Sequence, residues 1–169
     1  VSPGGMIIFD SSLSKTVLEE VPTIDFEANK RIRKLLQDSG QSINLSGMLE
    51  LAKARGCIVY GLPYFEMIEA VAKNMNDPKL SKLSRVVNVM AISASISLLG
   101  IKKDMLVGAI QEVFGSKPKL LTSNIEAAGY AYSYIGTKYD TTNIKYKITS
   151  KDALQDYLSP PGSQTAAAG

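Results

Sequence analysis

The chain has 169 residues, 45% hydrophobic and 21% charged, with a formal net charge of +3. That is enough apolar material for one domain with a core, and a mild, dispersed basic excess predicts neither nucleic acid nor an anionic membrane as partner. There is no histidine and one cysteine, which excludes His-based general-base catalysis, a Ser-His or Cys-His nucleophile, an internal disulfide, and a zinc or iron–sulfur cage built within this chain.

Apolar runs stay far short of the ~20 residues of a membrane helix. No secretory signal is visible, and a lone cysteine fits a reduced, cytoplasmic setting. Gly4-Gly5 leads into Met6-Ile7-Ile8-Phe9-Asp10, an apolar run of the kind that fills a buried parallel strand. A phosphate-binding glycine loop must follow a strand and open a helix, so Gly4-Gly5 reads as a plain loop. Asp10-Ser11-Ser12 then ends the strand. Ligands of open α/β sheets bind at such carboxyl ends, and Ser11 or Ser12 can hydrogen-bond a polar ligand there; the commoner role is a turn cap.

Thr23 or Asp25 can N-cap a helix running to about Ser39, with Ile32, Leu35 and Leu36 inward and Gly40 as its stop. Its basic run, Lys30 to Lys34, reads as a solvated face more readily than as a phosphate-binding one. Asn44 or Ser46 starts a second helix with Met48, Leu49, Leu51 and Ala52 inward, ended by Gly56. Cys57-Ile58-Val59-Tyr60 is the other convincing strand, with Cys57 a small buried hydrophobe in it. Two parallel strands are not stable alone, so the chain is expected to be the later part of a larger α/β domain whose N-terminal strands are missing here.

Gly61-Leu62-Pro63 is predicted as a tight strand-to-helix turn. Tyr64, at the carboxyl end of this strand, could stack on an adenine or simply pack with a wet hydroxyl. The helix Tyr64–Met75 carries Phe65, Ile68, Val71 and Ala72 on one face, and Asn76-Asp77-Pro78 breaks it. A helix over Leu83–Leu99 mixes Val86, Val87, Met90, Ala94 and Leu98 with small residues that let a neighbour approach closely. Arg85 and Asn88 share one of its faces. An amide amid apolar residues needs partners, which fits either a domain interface or a satisfied internal position. Lys103–Phe114 is a shorter amphipathic helix, and a last one covers about Leu120–Ile135. Asn124 opens it as an N-cap or turn residue, or as an interface contact. Tyr130 and Tyr134 share a helix face and read as contacts to the domain or a partner. Residues after Gly136 turn polar, with possible extended structure at Asn143–Ile148, and the Pro-, Ser- and Ala-rich end reads as an interdomain linker.

The succession IIFDSSL, GLPYFEMIEAVA, RVVNVMAISASISLLGI, DMLVGAIQEVFG and NIEAAGYAY resembles the gamma domain of 2-oxoacid:ferredoxin oxidoreductases, in the archaeal-type form fused to the alpha part. The resemblance runs from about Met6 to Tyr134 and implies an α/β, Rossmann-like layered domain with a mostly parallel sheet and a helical C-terminal half. Residues 1–136 would be the C-terminal part of that gamma domain, and 137–169 a linker toward the alpha part. It implies coenzyme-A-dependent oxidative decarboxylation of a 2-oxoacid to acyl-CoA, with reduction of ferredoxin. The complex would use thiamine diphosphate, Mg2+ and [4Fe-4S] clusters held outside this segment, and its partners would be the alpha part, a beta subunit and ferredoxin. Ser11, Ser12 and Tyr64 would lie on the coenzyme A side; Arg85, Asn88 and Asn124 would lie at interfaces; no residue here would be catalytic. The family's glycine-rich first loop is absent, which leaves a phosphate role of this chain without support. A stand-alone α/β binding or oligomerisation module is the other reading of the same residues.

Overall fold

A computed structural model describes residues 2–79, 84–141 and 144, with the side chains of Ser84 and Arg85 excepted. The chain divides between Ala70 and Val71 into two compact units.

The first unit is built on two strands, β1 (Met6–Asp10) and β2 (Ile58–Leu62). They pair in parallel, with Met6 opposite Ile58 and Asp10 opposite Leu62. Parallel neighbours need a long crossover, and here it holds α1 (Phe26–Asp38) and α2 (Leu45–Ala54). Each helix starts where a short polar side chain caps it. Asp25 accepts from the backbone N–H of Ala28 at 2.8 Å, and Asn44 accepts from that of Gly47 at 3.0 Å. Each ends before a glycine in the left-handed region, Gly40 at φ +66° and Gly56 at φ +84°, a conformation that a Cβ disfavours. The loop after β1 is tied to the start of α2: the N–H groups of Leu45 and Ser46 donate to the carbonyls of Thr16 (2.9 Å) and Ser14 (2.7 Å). Arg33 pairs with Glu19 at the surface, a contact of small energetic weight.

In register, Ile7, Phe9, Val59 and Gly61 share one face of the strand pair. Tyr60 and Leu62, on the other face, are buried. Strand β2 begins one residue later than expected and takes in Gly61 and Leu62, which the sequence had assigned to a turn; only Pro63 remains between strand and helix. The backbone of Gly61 and Leu62 continues the ladder with Phe9 and Asp10, and that pairing overrides the local turn signal of glycine and proline. Cys57 is buried but precedes the strand. Within α1, Leu36 is fully buried whereas Leu35, expected inward, is exposed.

Helix α3 (Tyr64–Asn74) crosses from the first unit into the second. Its buried residues include Met67, Ile68, Val71 and Ala72, while Phe65, expected on that face, is 61% exposed. Phe65 and Met67 are two residues apart and so lie on nearly opposite sides of α3, about 200° apart, and Met67 takes the inward one. Asn76 ends the segment at φ +52°.

The second unit contains α4 (Ser84–Leu98), α5 (Lys103–Phe114) and α6 (Pro118–Lys138). Helix α4 packs along α6, and α5 packs on α6. Ser93, Ala94, Ala127, Ala128 and Ala131 are all completely buried, alongside Met90, Leu98 and Ile135. Small side chains let helix axes approach, and the larger ones fill the gaps between them. Leu106, Ile110 and Ala128 form a second cluster, flanked by Val89, Phe114 and Leu121. Buried and half-buried hydroxyls find backbone partners: Ser93 Oγ donates to the Val89 carbonyl at 2.6 Å, Ser97 Oγ to the Tyr132 carbonyl at 3.1 Å, and the Tyr132 hydroxyl to the Ile101 carbonyl at 2.9 Å. Gly100, at φ +73°, ends α4 as expected.

Helix α6 starts at Pro118, two residues before the expected Leu120, because proline suits the first helical turn, where no N–H bond is needed. Asn124 is therefore inside α6 and not at its opening. The expected extended segment 143–148 and the Pro- and Ala-rich end lie outside the described residues, Ile144 apart.

Candidate functional site

The parallel register brings the carboxyl ends of β1 and β2 side by side, and the site forms there, within the first unit. At the end of β1, the Asp10 carboxylate accepts from the Ser12 backbone N–H at 2.9 Å and from the Ser12 hydroxyl at 2.7 Å. These bonds make Asp10 the cap of the single 3-10 turn Ser11–Leu13, with Ser12 as its donor and the Ser12 side chain exposed. Ser11 is half-buried. A Cβ added at Gly61 would meet the Phe9 ring at 3.0 Å and the Ser11 Cβ at 3.4 Å. The missing side chain thus lets Phe9 lie across β2 and Ser11 stand close to it.

At the end of β2, Pro63 turns the chain and Tyr64 opens α3, only 6% exposed. Burial raises the Tyr64 phenol above its ordinary pKa, and the nearby Asp10 carboxylate raises it further. Ser11, Ser12 and Tyr64, named from sequence, therefore meet at one end of the sheet. Asp10, expected with Ser11 and Ser12 to end the strand and cap a turn, does so and stands beside them as an acceptor. The converging groups are a carboxylate, two hydroxyls and a phenol. Such a set suits neutral donors such as amides and hydroxyls, and the Asp10 charge opposes a phosphate at the same point.

The sign of the pH dependence follows from Tyr64. Below about pH 10 the phenol is protonated in both folded and unfolded chains. Above that, the unfolded chain ionises first, so stability falls as pH rises, until the raised folded pKa is passed. Tyr64→Phe is expected to flatten this alkaline decline relative to the parent in urea unfolding followed over roughly pH 8 to 11. Parallel declines in the two proteins would refute it.

The Arg85 side chain lies outside the described residues. Asn88 is exposed on the outward side of α4, which sets aside the internal-amide alternative for it. Asn124 is 6% exposed and its Nδ2 donates to the Leu120 carbonyl at 2.7 Å, which makes it a satisfied internal amide. Tyr130 and Tyr134 are half-buried on α6. The basic run on α1 presents Lys30, Arg31, Arg33 and Lys34 to solvent. Among the described residues no three His, Cys, Asp or Glu side chains group as metal ligands, and no helix is long and apolar enough to cross a membrane.

Residues 1–134 match the family model described as pyruvate ferredoxin/flavodoxin oxidoreductase. The chain is 25% identical, over 80% of its length, to 2-oxoacid:ferredoxin oxidoreductase 2, subunit alpha, of Aeropyrum pernix, covering 21% of that protein. It is 27% identical, over 90% of its length, to 2-oxoacid:ferredoxin oxidoreductase 1, subunit alpha, of Sulfurisphaera tokodaii, covering 23% of it. With the alpha subunit of Saccharolobus solfataricus it shares 28% identity over 64% of its length and 17% of the relative. The chain spans about a fifth of the length of these curated relatives.

Proposed function

Because the chain belongs to the pyruvate ferredoxin/flavodoxin oxidoreductase family, we propose that it is the gamma-domain portion of a 2-oxoacid:ferredoxin oxidoreductase. One observation carries this reading: four-fifths to nine-tenths of the chain aligns with about a fifth of proteins named as alpha subunits of that enzyme. A segment of that proportion is one domain of a longer subunit.

The reaction would convert a 2-oxoacid and coenzyme A to acyl-CoA and carbon dioxide, with the electrons passing to ferredoxin. Thiamine diphosphate with Mg2+ supplies the decarboxylation chemistry in such complexes, and [4Fe-4S] clusters carry the electrons. The residues of this chain do not fit those groups. A cubane cluster takes four thiolates and the chain has one cysteine; its described carboxylates do not gather into a metal site. In this reading the segment is structural, and its contribution lies toward coenzyme A. Ser11 and Tyr64, with Asp10, offer acceptors and donors at the sheet end that suit the amide and hydroxyl portions of that substrate better than its phosphates. The alpha part of the same subunit, a beta subunit and ferredoxin are its partners, in the cytoplasm.

The test is 2-oxoacid- and coenzyme-A-dependent reduction of a viologen dye by protein purified anaerobically from its native source. Activity that co-purifies with this segment is the expected result, and varying the acid identifies the substrate. Absence of activity, with clusters intact and thiamine diphosphate added, would overturn the reading in favour of a stand-alone binding module.

A further inference from the structure

We propose that the second unit holds a binding site for a small dipolar molecule of the amino-acid class. The site is a cavity of about 420 Å3 between the last turns of α3, the start of α5 and one side of α6. All its lining residues belong to the second unit, and the site stands whether or not the chain serves an oxidoreductase. Its volume falls in the range of small-ligand sites. Two opposite charges line it, Lys103 at the first position of α5 and Glu126 on α6. Among the described residues they are the only charged groups of the lining, and they make no ion pair with each other.

A glycine makes room for the lysine. Gly129 follows Glu126 by three residues, so the two are neighbours on the surface of α6. A Cβ at Gly129 would meet Lys103 Nζ at 3.1 Å and its Cε at 3.4 Å. The lysine head therefore lies against α6 at a point where no side chain stands in its way. Glycine is a poor helix former, and here it leaves space for a cation one turn from a carboxylate. Both charged residues are exposed, so neither charge is stranded in the fold and both are open to a ligand. Val71, Ile125 and the Tyr130 ring add apolar surface to the same lining.

The class of ligand follows from these charges. A single cation answers a single anion, and Glu126 in the same lining opposes a multiply charged group such as a phosphate. A carboxylate set toward Lys103 and an ammonium set toward Glu126 would answer both groups with charge-assisted hydrogen bonds. A free amino acid carries those two groups on one carbon, and an apolar side chain on it would cover Val71, Ile125 and Tyr130.

Calorimetric titration of the intact protein with L-leucine tests this. Two analogues that each lack one charge, 4-methylpentanoate and 3-methylbutylamine, are titrated beside it. L-leucine is expected to bind, and each analogue to bind about tenfold more weakly, the loss of one charge-assisted hydrogen bond. Lys103→Met and Glu126→Gln are each expected to weaken L-leucine by about the same factor. Gly129→Ala is expected to weaken it too, because the new Cβ displaces only the flexible end of Lys103 and leaves the fold in place. Gly136→Ala, whose Cβ meets nothing within 4 Å, is expected to bind as the parent does. No binding of L-leucine, equal affinity for 4-methylpentanoate, or parental affinity in either charge variant would each overturn the site. Dye reduction by the same protein reports separately on the oxidoreductase reading.

Discussion

Replacing Gly47 with alanine is expected to destabilise the protein by about 3 kcal/mol or more, the upper range for overpacking a fixed site. Gly47 is the third residue of α2, and its N–H is already held by the Asn44 cap. A Cβ there would be driven into the backbone carbonyl oxygen of Ser42, with the Ser42 carbonyl carbon at 2.9 Å. The obstacle is backbone, so no rotamer change relieves it. The neighbouring backbone is held as well, because Leu45 and Ser46 donate to the loop carbonyls of Thr16 and Ser14. Helix propensity alone would predict a gain of up to about 1 kcal/mol from glycine to alanine, so the sign of the result separates steric from intrinsic effects. Gly136, in α6, is the control. A Cβ there meets nothing within 4 Å, and Gly136→Ala is expected to be neutral or to stabilise by roughly 0.5–1 kcal/mol. Urea midpoints, with unchanged m-values, measure both. A Gly47→Ala protein as stable as the parent would refute the account.

The second large effect contrasts two residues of α4. Met90 is fully buried and Ile92 is 56% exposed. Met90→Ala is expected to cost about 2–5 kcal/mol, the transfer term plus the cavity left behind. Ile92→Ala is expected to stay within about 0.5 kcal/mol. The reason is rotational: two residues turn a helix by roughly 200°, which puts Met90 toward the interior and Ile92 away from it. Thermal or urea unfolding of the two variants decides the matter. Equal losses would mean that Ile92 is covered in the intact protein, and comparable stability of Met90→Ala would mean that the α4–α6 core is loosely held.

Much of the element order is legible in the residues. Asp25 and Asn44 cap their helices, and Gly40, Gly56 and Gly100 stop theirs, because capping and left-handed turns are decided within a few residues of sequence. The run MIIFD marks β1, and the run Lys103–Phe114 marks α5. The gathering of Ser11, Ser12 and Tyr64 was legible for a topological reason, since parallel strands place their carboxyl ends together. What was not legible depends on neighbours distant in sequence. Periodicity offers a helix face but does not choose between Phe65 and Met67 or keep Leu35 inside; contact with other elements makes that choice. Asn88 carries the same apolar neighbours in sequence whether it faces in or out, and here it faces out. Asn124 looked like the first residue of a helix until Pro118 took that role.

The sequence by itself determined the helices, the MIIFD strand and the start of the second one, and the lack of histidine and of a second cysteine. Those properties follow from local backbone preferences and side-chain chemistry, which act over a few residues. The tertiary structure alone decided that Gly47 and Gly61 are required by close approach while Gly108 is not, that Asp10 accepts two hydrogen bonds beside Tyr64, and which apolar residues of each stripe reach the interior. Those outcomes depend on the excluded volume of atoms far apart in the chain, and only the folded packing brings these atoms together.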